Sequence, residues 1–379
     1  MTGRHDVAIV GGGLVGLFAA LYLSREGADV ILFEAGDPGS EASGANAGSL
    51  HLQIQYPEFV KYGEDWARAY APTLRFLAAS IELWRGVSDD IGTDLSVSTK
   101  GGIVAAQTAE QLRAIEAKSR IEATVGVETQ VLDRDDLRRI APYLSEKAIG
   151  GGFCAGEGKA DTLAATPALL AAVIAAGVIV RARTPVLGIE VEQGGFTLTT
   201  HGGPVRARQI INAAGAKAAQ VASMVGASVA LDGFPLQVTV TEPVAPLIPH
   251  LVYSAAGKLT LKQAVNGGLI IGGGWAARVR ETGGLATDPT NFSANMALAA
   301  DVVPAVAQAR TLRSWTAWVN GTADWRPVIG EAPGVPGFHF ALFPWVGFSA
   351  APMTGRVVAD LVLGHAPTVP LKGISTLYD

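Results

Sequence analysis

Three glycines and one glutamate carry the clearest chemical signal in the sequence. Gly11, Gly13 and Gly16 follow the pattern G-x-G-x-x-G, and Glu34 comes eighteen residues after the last of them. In a chain that holds a dinucleotide, each glycine has its own task. Gly11 permits a tight turn, Gly13 lets a pyrophosphate approach the backbone, and Gly16 lets the next helix pack on the preceding strand. The phosphates then face the positive end of that helix and its first amides, here at Leu14 and Val15. Glu34 accepts hydrogen bonds from the ribose hydroxyls of the adenosine half, and its charge disfavours a 2′-phosphate. The glycine pattern by itself is a weak sign, because a structural glycine turn in an unrelated α/β fold reads the same way.

Its context makes it strong. An apolar run Asp6–Val10 predicts a strand, Leu14–Glu26 a helix closed by Gly27 at the position where positive φ is wanted, and Asp29–Glu34 a second strand. Beyond this βαβ unit, a Gly/Ser/Ala-rich segment (36–49) leads into an aromatic-rich helical region from Tyr56 to Arg85. Short β pieces (Gly102–Ala106, Thr129–Leu132) then flank a polar helix, Ala109–Ala123. A helix over Asp161–Ala176 is followed by strands near Val178–Arg183, Gly188–Val191, Phe196–Thr200 and Gln209–Ala214. β character returns with Leu236–Thr241, Lys258–Gln263 and Gly268–Gly272, beside a helix near Asn291–Val303. The end reads as a turn (Pro327–Gly337), a strand (Phe338–Leu342) and a last helix (Pro352–Leu363). The alternation predicts an α/β protein in which a Rossmann-type dinucleotide-binding domain (1–90, 145–227 and 321–379) is interleaved with a mixed or antiparallel β-sheet substrate domain with helices (91–144 and 228–320).

Composition narrows the function classes. The 379 residues are 49% hydrophobic and 17% charged, which suits a well-buried enzyme and not a disordered chain. A net charge of −5 with no basic block argues against nucleic acid as a partner. Cys154 is the single cysteine, and the six histidines show no ligand spacing, so neither a disulfide, an iron–sulfur cluster nor a protein-bound metal is expected. Two apolar stretches, Val7–Leu23 and Leu163–Val180, read as βα and αβ pieces because Gly-Gly-Gly interrupts one and Pro167 and Gly177 the other. No integral membrane segment is expected, and the expected location is the cytoplasm.

Three later segments decide which dinucleotide. The run 41–49 (E-A-S-G-A-N-A-G-S) is small and flexible, as needed where a chain wraps a flavin and its diphosphate. The run 210–215 (I-I-N-A-A-G) is a strand ending in a small-residue turn that can lie close to a ligand. The run 343–352 (F-P-W-V-G-F-S-A-A-P) leads into the last helix, whose amides can face the N1–C2=O edge of an isoalloxazine. Together they favour FAD over NAD.

With these residues in order, the sequence resembles the FAD-dependent D-amino-acid oxidase family, in its glycine/sarcosine oxidase branch. The likeness spans nearly the whole chain, including T-A-D-W-R-P-V-I-G at 322–330. It implies that Glu34 and Ala35 meet the adenosine ribose, that Ser43, Gly44, Asn46, Ala47 and Gly48 contact the diphosphate and flavin, and that Val186 meets the adenine. It further implies Ala214 and Gly215 near the ribityl chain, and Gly347, Phe348 and Ala350 at the flavin's pyrimidine edge. A finer resemblance, carried by L-T-L-K-Q (259–263) and L-I-I-G-G-G-W (269–275), is to the β subunits of bacterial opine dehydrogenases of the octopine/nopaline type.

The sequence also departs from the family. Where many members carry an arginine that holds the substrate carboxylate, the stretch 315–321 reads W-T-A-W-V-N-G. The lysine that monomeric sarcosine oxidases set before the last helix aligns with Ser349, and no cysteine is available there for a covalent flavin, so the FAD is expected to be non-covalent. Substrate-pocket candidates are His51, Tyr253, Lys262, Trp275 and Phe348, with Arg278 as a further cation. Each has a plainer reading: Lys262 as a solvated strand residue, Arg278 as a surface charge, His51 as a satisfied core histidine, Tyr253 and Trp275 as core packing. No acid–base residue is assigned. The expected reaction is oxidation of a C–N bond in an amine or amino acid, with electrons passing to a redox partner subunit in a hetero-oligomer. The rivals are a stand-alone oxidase that makes hydrogen peroxide and a non-catalytic flavoprotein subunit.

Overall fold

The computed structural model describes residues 4–378. It opens with the expected βαβ unit: β1 (His5–Val10), α1 (Leu14–Arg25) and β2 (Val30–Phe33). Gly27, just past the helix, has φ +84° and fills the left-handed position. β1 is buried from Val7 to Val10 without alternation, as a parallel strand covered on both faces must be. On α1, Leu14, Leu17, Phe18 and Leu21 recur at helical spacing and are buried.

These elements belong to an eight-stranded sheet. Its main path runs Val328–Glu331, Phe338–Leu342, Gly203–Asn212, β1, β2, Ile179–Arg181, with the hairpin of Val186–Glu192 and Gly195–Thr200 joined to Gly203–Asn212. The inner pairings are parallel, with Ile9 level with Ile211 on one side and Leu32 on the other. A second eight-stranded sheet holds Thr311–Gly321, Asp232–Pro243, Gly268–Gly272, Thr260–Gln263, Leu251–Ser254, Gly102–Ala106, Gly150–Cys154 and Gln130–Asp133 in that order. All of its pairings are antiparallel except that of Leu251–Ser254 with Gly102–Ala106. The mixed α/β architecture matches the expectation. The strand Gly150–Cys154, which lies past the expected boundary at 145, pairs within the second sheet.

Two differences from the sequence reading have physical causes. The segment 327–337 contains a strand, Val328–Glu331, antiparallel to Phe338–Leu342. The last helix begins at Gly347, five residues before Pro352. Proline usually opens a helix because it has no N–H to give the carbonyl four residues back. Here the carbonyl of Phe348 is satisfied from outside, by the indole Nε1 of Trp84 at 3.1 Å. Ser80 Oγ donates to the next carbonyl, Ser349 O, at 2.7 Å, and accepts from Met353 N at 3.3 Å. Trp84 and Ser80 belong to the helix Pro72–Ile91, so one helix repairs the proline defect of its neighbour. On its other side the last helix crosses α1, where Gly355 lies against Phe18 with no room for a side chain.

Candidate active site

The glycine loop is packed as its sequence demands. Gly11 has φ +115°, and a Cβ there would run into the backbone of Ala213 and Ala214. Ala213 N donates to Val10 O at 2.9 Å, which brings the turn after Gly203–Asn212 against the loop. Gly16 faces the carbonyl of Gly11 with no space for a Cβ. Helix geometry leaves the first-turn amides of α1 without intrahelical acceptors. Leu14 N uses Ser43 Oγ at 3.0 Å, while Val15 and Gly16 follow it in the same turn. Glu34 reaches back over the loop, its carboxylate accepting from Gly12 N and Gly36 N, both at 2.7 Å.

The small-residue wrap is ordered by its own turns. Asn46 Oδ1 accepts from Gly48 N at 2.7 Å, and Gly48, at φ +81°, sits against the carbonyl of Ala160. Glu34 also pairs with the segment before Val186, donating its N–H to Arg181 O at 3.0 Å and accepting from Thr184 N at 2.8 Å. Gly347, at the entrance of the last helix, faces open space. These observations fit a bound FAD. Backbone and glycine surfaces converge from the loop at 11–16, the wrap at 43–48, the turn at 213–215 and the helix entrance at 347.

A cavity of about 1180 Å³ opens on this cradle and includes its wrap, so the flavin would fill part of it. The wrap (Ala45, Asn46, Ala47, Ser49) and the residues before the last helix (Trp345, Val346) form one side; Tyr253, Thr260, Leu236 and Trp315 of the second sheet form the other. None of its lining residues among those described is an arginine, in line with the sequence; its cations are Lys61 and Lys258. Trp345 and Trp325 stack on each other at 5.0 Å, and Phe234 packs on Trp345 at 4.5 Å, so part of the wall is aromatic.

Of the expected pocket residues, His51 and Tyr253 line the cavity and meet: His51 Nδ1 lies 2.7 Å from Tyr253 Oη. Lys262 lies behind the lining, fully buried, and is not solvated; its Nζ donates to Ser49 Oγ at 2.7 Å. Phe348 is turned away from the cavity, because its ring stacks on Trp84 at 4.9 Å in the interior. Trp275 is likewise outside the lining, since its indole is tied to Lys258 O at 2.7 Å. Arg278 is an exposed residue of a surface ribbon.

The sequence reading missed Glu157, Gln53, Lys118 and Glu122, all buried; Gln53 reaches the cavity lining, and the other three do not. Glu157 accepts from Leu52 N at 2.7 Å, Gln53 N at 2.9 Å, Gln53 Nε2 at 2.9 Å and Tyr253 Oη at 3.0 Å. Lys118 Nζ donates to Gln53 Oε1 at 3.1 Å and pairs with Glu122 at 2.5 Å. The Lys118/Glu122 spacing of four on a helix was the available signal, but Glu116 and Arg120 show the same spacing on the solvated face.

Burial governs the electrostatics. It pushes the His51 imidazole down to about 3, with the charge of Lys262 adding to the effect. Lys262 itself is lowered to about 7, by burial first and by Lys159 second. Burial raises Glu157 against the opposing effect of its hydrogen-bond donors, and it holds Tyr253 well above the usual phenol range, with Glu157 reinforcing it. His51 is therefore a neutral imidazole, and Tyr253 a neutral phenol, at any physiological pH.

Fold and cradle together define an FAD-dependent oxidoreductase, and the comparison with known proteins gives the family. Residues 6–361 match the family described as DAO, FAD dependent oxidoreductase, and the chain belongs to it. An opine oxidase subunit from Rhizobium meliloti is 30% identical over 91% of this chain and 90% of its own length. Glycine oxidase of Geobacillus kaustophilus is 29% identical over 96% of this chain and 94% of its own. The sarcosine oxidase β subunit of Rhizobium meliloti is 28% identical over 96% and 86%. The crystal structure of the Geobacillus kaustophilus glycine oxidase superposes with a TM-score of 0.86 at 27% identity, covering 99% of this chain and 98% of that one. The chain is thus an enzyme of the glycine, sarcosine and opine oxidase type, with FAD as its cofactor.

Proposed function

We propose that this protein oxidises the C–N bond of a secondary amine or amino acid, of the opine type, as the cytoplasmic catalytic β subunit of a dehydrogenase complex. The observation that carries the reading is the cavity. It opens on the FAD cradle, and a neutral imidazole, a neutral phenol and two lysines line it. The bound flavin supplies a hydride acceptor at N5. The chain supplies orientation: His51 and Tyr253 on one wall, aromatic rings on another, and Lys61 and Lys258 as cations for substrate carboxylates. Hydride loss from Cα of a neutral amine leaves an iminium, which water hydrolyses; an opine would yield an amino acid and a 2-oxo acid.

Two relatives named as subunits support a partner that takes the electrons. No helix among the described residues is long and apolar enough to cross a membrane. The test is an anaerobic flavin-bleaching screen across opines, D-amino acids, proline-like secondary amines and N-methyl amino acids, with and without an artificial electron acceptor. Bleaching by opines with slow reoxidation by oxygen is expected. Brisk peroxide production by the isolated chain would replace the dehydrogenase reading with a stand-alone oxidase, and no bleaching by any class would make the chain a non-catalytic flavoprotein subunit.

A further inference from the structure

The buried polar residues linked to His51 form a chain of hydrogen bonds with only one consistent direction. Lys118 is a donor without acceptor capacity, so the atom of Gln53 facing it at 3.1 Å is the amide oxygen. That orients the Gln53 amide, and its Nε2 donates to Glu157 Oε2 at 2.9 Å. Glu157 also receives the backbone N–H groups of Leu52 and Gln53, neither of which can reverse. Burial raises the pKa of this carboxyl, while the three fixed N–H donors favour its ionised form, and in that form it is an acceptor only. Tyr253 must then give its single hydroxyl hydrogen to Glu157 Oε1, at 3.0 Å. Gln55 also donates to this hydroxyl, and the contact with His51 Nδ1 at 2.7 Å can be a hydrogen bond only if the imidazole is the donor. The proton of His51 is therefore on Nδ1.

Its Nε2 is left with a bare lone pair. That atom has no hydrogen-bond partner among the described residues and is not sealed in the interior, whereas the equally unpartnered Nδ1 of His339 is. The backbone of His51 is clamped as well: its N–H donates to Ser349 Oγ at 2.8 Å, and Ser349 Oγ donates to Ser49 O at 3.1 Å. A positioned acceptor with a fixed tautomer thus opens onto the cavity beside the FAD cradle.

We infer that His51 Nε2 accepts a hydrogen bond from the substrate's amine N–H, with Tyr253 and Glu157 as positioning residues that fix the tautomer, and that this contact selects secondary and primary amines over tertiary ones. The inference rests on the amine-oxidising reading of the cavity. Hydride loss from Cα needs the nitrogen lone pair, so the reactive form is the neutral amine. In that form a secondary amine keeps one N–H and a tertiary amine keeps none. The charged groups facing His51 support the same choice: Lys262 lies close enough to lower its basicity, Lys159 adds positive charge behind Lys262, and the negative charge of Glu157 is taken up by its own donors. A cationic substrate nitrogen gains little there, while an uncharged N–H donor finds an uncharged acceptor.

The test has two independent arms, both on the FAD-loaded protein. The first is the ¹⁵N spectrum of histidine-labelled wild type, with the His51 signals identified by their loss in His51→Asn. A protonated Nδ1 with a bare Nε2 is expected, and Tyr253→Phe, which removes the acceptor of that proton, should let it move to Nε2. A wild-type signal showing Nε2–H overturns the inference without need of any activity. The second arm compares a matched pair, a secondary amine that bleaches the wild-type flavin and its N-methyl tertiary analogue. Wild type should favour the secondary amine by about tenfold in apparent binding, the worth of one neutral hydrogen bond. His51→Asn keeps a donor toward Tyr253 but has no acceptor at the ε position, so it should lose the preference; His51→Gln, with an oxygen at that position, should recover most of it. A preference that survives in His51→Asn refutes the inference while leaving amine oxidation standing. If no amine bleaches even the wild-type flavin, the underlying reading fails first. Should His51→Asn not retain FAD, His51→Gln identifies the signals and the wild-type tautomer still decides.

Discussion

Replacing Lys262 with methionine tests whether a titratable amine is really held in the dry layer behind the cavity. Methionine keeps much of the side-chain volume and removes the titratable group. Lys262 is buried, its Nζ donates to Ser49 Oγ at 2.7 Å, and burial, then Lys159, lower it to about 7. In the unfolded chain a lysine titrates near 10.4. Because the folded value is depressed, the unfolded state binds the extra proton between those two pH values, and stability rises with pH across that window. Equivalently, the stabilisation is complete above the unfolded value and is lost as pH falls through the folded one. Each pH unit inside the window is worth about 1.4 kcal/mol, so wild type should gain about 2 kcal/mol over Lys262→Met between pH 7.5 and pH 9. All other groups titrate in both proteins and cancel. At pH 7.5 the variant should be the more stable of the two. It escapes the roughly 4 kcal/mol cost of holding the lysine uncharged at a pH where the unfolded chain protonates it and loses about 1 kcal/mol for the hydrogen bond to Ser49. The assay is urea denaturation of the FAD-saturated proteins at both pH values, followed by tryptophan fluorescence. A wild-type-minus-variant difference that stays within about 0.5 kcal/mol over this range would falsify the placement of Lys262 as a buried amine of depressed basicity.

Three further predictions address other parts of the molecule. Gly16→Ala puts a methyl group against the Gly11 carbonyl and forces α1 off the loop, an overpacking worth about 1–3 kcal/mol; the purified variant should show a reduced flavin-to-protein absorbance ratio, and full flavin content would contradict the packing described. Lys118→Met strands Glu122 in the interior and should cost about 3–5 kcal/mol in urea denaturation. Adding Glu122→Gln should recover part of that loss, since the amide oxygen can still accept from Ile54 N, and no recovery would argue against an ion pair. Cys154 is buried and its thiol is pushed up to about 12, chiefly by burial, so a disulfide reagent at pH 8 should label it only after unfolding; fast labelling of the native protein would contradict its burial.

The glycine loop and its βαβ unit were legible in the sequence because their residues act locally. Gly11, Gly13, Gly16 and Glu34 lie within one βαβ unit, and each has a task that only its residue type performs. The wrap at 43–48 was legible for the same reason, as a run of small residues between two well-marked elements. The start of the last helix was not, because Pro352 is a helix-opening signal whose defect is repaired by Trp84 and Ser80, more than 260 positions earlier in the chain. Phe348 falls outside the cavity lining for a related reason: an aromatic residue near a glycine motif suits a pocket wall and an interior stack equally well, and only the packing against Trp84 separates the two.

Glu157 shows most clearly what a linear reading omits. In the sequence it is an acid in the run A-G-E-G-K, indistinguishable from a solvated turn residue. In the fold, Gly102 faces it so closely that no side chain could stand there, and the backbone of Leu52 and Gln53 turns inward to give it two N–H donors. An ionised carboxylate survives such burial only if every donor around it is committed, and that commitment is what propagates outward. Gln53 is held by Lys118 on one side, Tyr253 has no second hydrogen to give, and His51 is left with one permitted proton position. The proton position on His51 is thus set by groups drawn from four places in the chain: the helix Ala109–Ala123, the turn at 155–158, the strand Leu251–Ser254 and the segment after the wrap. Substituting any one of them by a residue of similar size but opposite hydrogen-bonding sense should alter the chemistry of His51 more than it alters the shape of the cavity.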